Sequence, residues 1–302
     1  MPIGLRARVG ESILALWQQS FARSLFVVGT GKNVGKTVTM RAIYRACIDA
    51  GIGCALASIG RDGEAYDVTG ETAKPRYRLE PATIVATACG VIPRSPASEV
   101  LALTSYETAA GVIAYLRVRG AGLYELVGPP SACALRGVVD DLLELAPRVL
   151  VDGAVDRIAA LAGGNDAIVV ACGAASAPTL GEAVDDVRAL VARLNVARFT
   201  GEEESLAVDG ALTATMTAEL IRAGERRTIV VRDPTQIALS GKAALRAFER
   251  LRIRCVRPLR VIAATVATIG PERAFEPRAF ADAVARATGL PTFDVYTAER
   301  AA

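Results

Sequence analysis

"LFVVGTGKNVGKTVTM" (residues 25–40) joins an apolar, β-branched run to a glycine-bearing loop and then to a segment of helical period. It closes on Gly35-Lys36-Thr37, the ending of a phosphate-binding loop, but Thr30 stands where the usual pattern has its leading glycine. Working outward, "SLFVVG" (24–29) predicts a strand and "GKTVTMRAIYRACIDAG" (35–51) a helix, with Gly51 suited to its C-terminus. "GCALASIG" (53–60) predicts a second strand. Strand, loop, helix and strand in that order form a βαβ unit, which implies parallel pairing and a doubly wound sheet.

The alternation continues along the chain. "PPSACALRGVVDDLLELAP" (129–147) reads as a helix with proline at either end, and "RVLVDGAVDR" (148–157) as a strand running into an acidic turn. "DAIVVACGAA" (166–175) is a strand and "TLGEAVDDVRALVARLN" (179–195) a helix. Helices are predicted at 212–223, 241–250 and 277–288, with strands at 227–233, 259–268 and 292–296. "GVIAYLRVRGAGLYELVG" (111–128) alternates around Gly120-Ala121-Gly122, a hairpin signal. The expected class is α/β: a doubly wound, mostly parallel sheet with an antiparallel hairpin excursion. The first twenty or so residues read as an amphipathic helix. The expected division is 1–200, a nucleotide-binding domain with that helix, and 201–302, an α/β portion continuing or packed on the same sheet. A soft boundary falls at "RFTGEEESL" (198–206).

Composition narrows the chemistry. At 52% hydrophobic and 22% charged, the chain can bury a large core. Thirty-five basic against 32 acidic residues give +3, without the clustered excess of a nucleic-acid surface. There is no histidine, which excludes Ser-His-Asp and Cys-His catalysis and His-ligated metals. The six cysteines form no C-x-x-C pair and sit mostly in apolar runs, as buried reduced thiols of a cytoplasmic protein would. No signal peptide or membrane span is expected.

In "GTGKNVGKT" the leading glycine has moved back to Gly29, so the loop is one residue longer while Gly-Lys-Thr stays intact. Candidate nucleotide-binding residues are therefore Gly29, Thr30, Gly31, Lys32, Asn33, Val34, Gly35, Lys36, Thr37 and Val38. Amides at the helix N-terminus would face phosphate oxygens, Lys36 would reach the β/γ-phosphates, and the Thr37 hydroxyl would bind Mg²⁺. The plain alternative is a glycine turn with no ligand.

The lengthened loop resembles that of dethiobiotin synthetase and its relatives among the P-loop NTPases. That resemblance implies a second acidic element, a strand ending in carboxylate and glycine. "RVLVDGA" (148–154) supplies it in Asp152, a candidate Mg²⁺ ligand, or else a turn or capping residue. A third carboxylate is expected after the second strand, where "SIGRDGEAYD" (58–67) offers Asp62, with Glu64 and Asp67 behind it. Asp62 would orient Mg²⁺ or the attacking water, which makes Lys36 and Asp62 the candidate catalytic pair and Thr37, Asp62 and Asp152 the candidate metal set. Arg61 would contact phosphate or substrate. A solvated Asp-Gly turn is the alternative. The synthetase also carries a substrate lysine in a "KP" turn after its second strand, which "SIGRDG" lacks, so carbamate chemistry is not expected here.

Six stretches in order are similar to the P-loop-type subunit of the lysine 5,6-aminomutase reactivase. They are "KNVGKT" (32–37), "SIGRDGE" (58–64), "KPR" (74–76), "VDGAVDR" (151–157), "RDPTQI" (232–237) and "VIAATVAT…FEP…PTFDVY" (261–296). This resemblance implies an ATP- and Mg²⁺-dependent helper of an adenosylcobalamin-dependent aminomutase, working with a MutS-related ATPase subunit. In such a switch the polar stretch 61–80 would be the loop that senses the γ-phosphate. "RDPTQI" reads equally as a helix start, with Asp233 at the cap and Pro234 at the first position. Relatives often dimerise across the nucleotide site, which admits a homodimer and would let Lys32 act in cis or in trans. Two other readings stand beside this one. The first is an ATP-dependent ligase or kinase of the synthetase kind, acting on a small molecule. The second is a module that holds nucleotide without turnover.

Overall fold

A computed structural model of the protein describes residues 3–59, 76–95, 97–153 and 165–296. The described residues fall into two compact units: 3–28 with 36–153, and 29–35 with 165–296.

The first unit runs α1 (Ile3–Gln19), β1 (Ser24–Gly29), α2 (Lys36–Asp49), β2 (Cys54–Ser58), β3 (Arg76–Leu79), β4 (Ile84–Ala88), β5 (Ser98–Thr108), β6 (Gly111–Val118), β7 (Gly122–Glu125), α3 (Ala132–Leu145) and β8 (Arg148–Asp152). Its main strands lie in the order β1-β8-β2-β4-β6-β5. The pairs β1·β8, β8·β2 and β2·β4 are parallel, while β4·β6 and β6·β5 are antiparallel. All residues of β1, β2 and β4 are buried, as strands covered on both faces must be. Helix α2 buries Thr39, Met40, Ile43, Tyr44, Ala46 and Cys47, the i, i+3, i+4, i+7 stripe its sequence predicts. Helix α1 brings Ile13, Leu14 and Trp17 into the core, where the guanidinium of Arg148 lies 5.2 Å from the Trp17 ring. Such a cation–π contact is worth about 0.5–2 kcal/mol.

The antiparallel excursion exists, but not where Gly120 and Gly122 place it. Strands β6 and β7 do not pair with each other; β7 pairs with β3. The reversal lies between β5 and β6, at Thr108-Ala109-Ala110-Gly111, where Gly111 takes φ +99° and the Thr108 hydroxyl donates to its carbonyl. Residues 76–79, expected within a loop, are instead strand β3, whose alternation buries Tyr77 and Leu79.

The second unit runs β9 (Asp166–Gly173), α4 (Leu180–Leu194), β10 (Ser205–Ala207), β11 (Leu212–Thr213), α5 (Ala214–Arg222), β12 (Thr228–Val231), β13 (Ile237–Ala238), α6 (Gly241–Arg250), β14 (Ile253–Cys255), β15 (Arg260–Ala267), α7 (Pro277–Thr288) and β16 (Thr292–Asp294). Strand β15 lies between β16 and β9, parallel to both. A separate parallel trio, β10-β12-β14, shares a core with α5 and α6 built on Leu212, Ile229, Val231, Ile237 and Ile253. Helix α4 opens on a reciprocal cap: Thr179 Oγ accepts the Glu182 N–H at 3.2 Å, and Glu182 accepts the Thr179 N–H at 3.2 Å. The whole is a mixed α/β architecture with mostly parallel strands.

Among the described residues no helix is long and apolar enough to cross a membrane. The cysteines are free thiols. Cys47, Cys54, Cys172 and Cys255 are buried, Cys89 is half-buried and Cys133 exposed.

Candidate nucleotide-binding site

Strand β1 delivers the chain to the loop, and α2 carries it away. Gly29 ends the strand, Thr30–Gly35 form the loop, and Lys36, Thr37 and Val38 make the half-buried first turn of α2. The four amides that open a helix have no intrahelical partner, so this turn carries positive potential where Lys36 adds a charge.

In the first unit, register sets Asp152 at this end of the sheet. Val27 of β1 and Ser58 of β2 both stand opposite Asp152 of β8. Its backbone is tied on both sides: Ile59 N–H donates to the Asp152 carbonyl at 3.1 Å, and Gly153 N–H to that of Val27 at 3.0 Å. The Asp152 carboxylate accepts a 2.8 Å hydrogen bond from the Tyr77 phenol. Burial, then the Asp152 charge and its hydrogen bond, push the Tyr77 phenol well above its ordinary range, so it stays a neutral donor. Arg41, one turn into α2, lies with its guanidinium carbon 5.8 Å from the Tyr77 ring centre and donates to the Arg76 carbonyl at 2.6 Å.

In the second unit the loop is shaped by residues near the C-terminal ends of β9, β15 and β16. Thr30 N–H donates to the Ala171 carbonyl at 2.9 Å, and its hydroxyl lies 3.3 Å from that of Ser176, which donates to the Gly173 carbonyl. Asn33 takes φ +57° and Gly35 φ +86°. A Cβ on Gly35 would stand 2.9 Å from the Ala267 Cβ and 3.3 Å from a Val295 methyl. Val34 is buried, whereas Lys32 and Asn33 face solvent.

Thus Thr37 opens α2 and Asp152 ends β8, where it is held by Tyr77, a residue that sequence reasoning missed. Its signal was the alternation in "RYRL" (76–79), hidden in a polar stretch. Asp62, with Arg61, Glu64 and Asp67, lies outside the described residues, as do Lys74-Pro75. "RDPTQI" forms a single 3₁₀ turn, Pro234–Gln236, in which Asp233 caps the Thr235 N–H and the Gln236 amide donates to the Gly210 carbonyl. Those bonds give it a local structural role.

The donor set fits Mg²⁺. A hydroxyl and a carboxylate are hard oxygen ligands, and Mg²⁺ takes one or two carboxylates, completing its shell with phosphate and water. Among the described residues no group of three His, Cys, Asp or Glu gathers to hold a metal, so further oxygens would come from nucleotide and solvent. Comparison with protein-family models, curated proteins and solved structures finds no match.

Proposed function

We propose that the chain is a P-loop NTPase of the doubly wound kind that binds ATP with Mg²⁺, hydrolyses it, and helps reactivate an adenosylcobalamin-dependent aminomutase. The observation that carries the nucleotide reading is the placement of Asp152 at the end of β8, which runs parallel to β1, the strand that leads through the glycine loop to Thr37 in the first turn of α2. Lys36 would hold the β/γ-phosphates, while Thr37 and Asp152 would hold the cation, which neutralises charge on the phosphates. Asp62 comes after β2 in sequence and would orient the attacking water. The partner reading, an aminomutase together with a MutS-related ATPase subunit, is supported by the order of the six sequence stretches. The absence of a lysine in the "SIGRDG" turn favours it over a small-molecule ligase or kinase.

ATP hydrolysis measured with and without a candidate aminomutase tests this. Stimulation by the partner is expected. Lys36→Ala should weaken ATP binding about 10- to 100-fold, the worth of a charge-assisted contact of roughly 1.5–3 kcal/mol. Asp152→Asn should lower the metal-dependent rate. Turnover that requires a small carboxylic acid would instead support the ligase reading, and ATP affinity untouched by Lys36→Ala would refute the site.

A further inference from the structure

The Tyr77 phenol donates a 2.8 Å hydrogen bond to the Asp152 carboxylate within the first unit. An ionised carboxylate only accepts, so the phenol proton goes to Asp152. That bond fixes the plane of the carboxylate at the end of β8.

The phenol itself is firmly held. Tyr77 is 2% exposed and stands opposite Tyr124 in the β3·β7 ladder. Arg41 covers its ring and ties down the preceding carbonyl. A tyrosine fastened by strand pairing on one side and by α2 on the other is a fixed part of the site's frame.

We infer that Tyr77 is a positioning residue for the cation of the nucleotide site proposed above, on which reading this rests, its hydroxyl holding the Asp152 carboxylate so that it presents oxygen to Mg²⁺. Removing an outer partner of this kind costs about 10- to 100-fold in metal affinity. The site then depends on β3, a strand outside the loop, helix and acidic strand that carry the motif.

Tyr77→Phe deletes the hydroxyl that donates to Asp152 and keeps the ring under Arg41. Two quantities are measured on the full chain: ATP affinity in excess chelator, and the affinity of the ATP complex for Mn²⁺ by paramagnetic resonance, with Mg²⁺ as competitor. Expected is an unchanged metal-free ATP affinity, which also reports a folded variant, with Mn²⁺ affinity lowered about 10- to 100-fold. Unchanged Mn²⁺ binding overturns the inference. Tighter binding overturns it as well, since the phenol would then compete with the cation. Should Tyr77→Phe fail to fold, a fluorinated tyrosine at position 77 keeps the shape and changes the donor strength of the hydroxyl. A shift in Mn²⁺ affinity then supports the positioning role, and no change refutes it. A wild-type chain that binds no ATP refutes the nucleotide reading itself, a result distinct from ATP binding with a silent Tyr77→Phe.

Discussion

At Gly35 the backbone turns with φ +86°, and the space a Cβ would need is filled by Ala267. An L side chain in that region costs about 1–3 kcal/mol, and the close contact adds to it. Gly35→Ala should therefore lower the urea midpoint of unfolding and, together with it, weaken the ATP binding proposed above. An unchanged midpoint would show that the loop relaxes freely. The places of Lys36, Thr37 and Asp152 in the fold were legible in sequence because each sits in a short local pattern, a glycine loop before a helix or an apolar strand ending in an acid. Tyr77 was not. Its partner Asp152 is 75 residues away, and its burial is decided by β3 pairing with β7. Within "KPRYRLE" (74–80) its neighbours are charged, which hides a residue that the fold covers completely.

Among elements, helices were read well because capping and periodicity are local. Helix α4 lies within the predicted 179–195, opens on the Thr179–Glu182 cap, and buries Ala183, Val187, Leu190 and Leu194 along one stripe. Thr179→Ala removes one arm of the cap and should cost about 1 kcal/mol, measurable in the denaturation midpoint. Restoration by Thr179→Ser would separate the cap from a packing effect. Strands were harder. Buried strands such as β9 announce themselves by eight consecutive buried positions. Strand β5 is the last in its sheet order, its register shifts at Val100/Ala102 and again at Leu103/Glu107, and Val100 and Leu103 stay exposed. Its apolar and polar residues keep no clean period of two, so no sequence rule marks it. Its turn carries one glycine, Gly111, while the more conspicuous Gly120 and Gly122 separate strands with different partners.

Across the whole molecule, burial governs the response to alkali. Desolvation pushes the Cys172 thiol and the Tyr115 phenol upward, the latter helped by its bond to Asp141, and it raises Tyr44 and Tyr77 as well. In the unfolded chain these groups ionise near 9 for the thiol and near 10 for phenols. Below those values both states keep their protons, and the stabilisation is fully present. Above them the unfolded state releases protons first, so stability falls as pH rises toward the folded values. Urea unfolding from pH 7 to 11, monitored through the single tryptophan, Trp17, should show a flat region to about pH 9 and a decline beyond. A midpoint constant to pH 11 would show that these side chains are less enclosed than the structure has them.

The grouping of residues 29–35 with 165–296 bears on how the chain is made. Synthesis runs from the N-terminus at about 5–20 residues per second, so the loop leaves the ribosome well before Ala171, Ser176, Ala267 and Val295, against which it is shaped. Its flanks, β1 and α2, have their own partners in the earlier part of the chain. Birth order therefore leaves the glycine loop without its mould until β16 has emerged, and a nascent chain stalled anywhere short of Val295 carries the loop without its finished form.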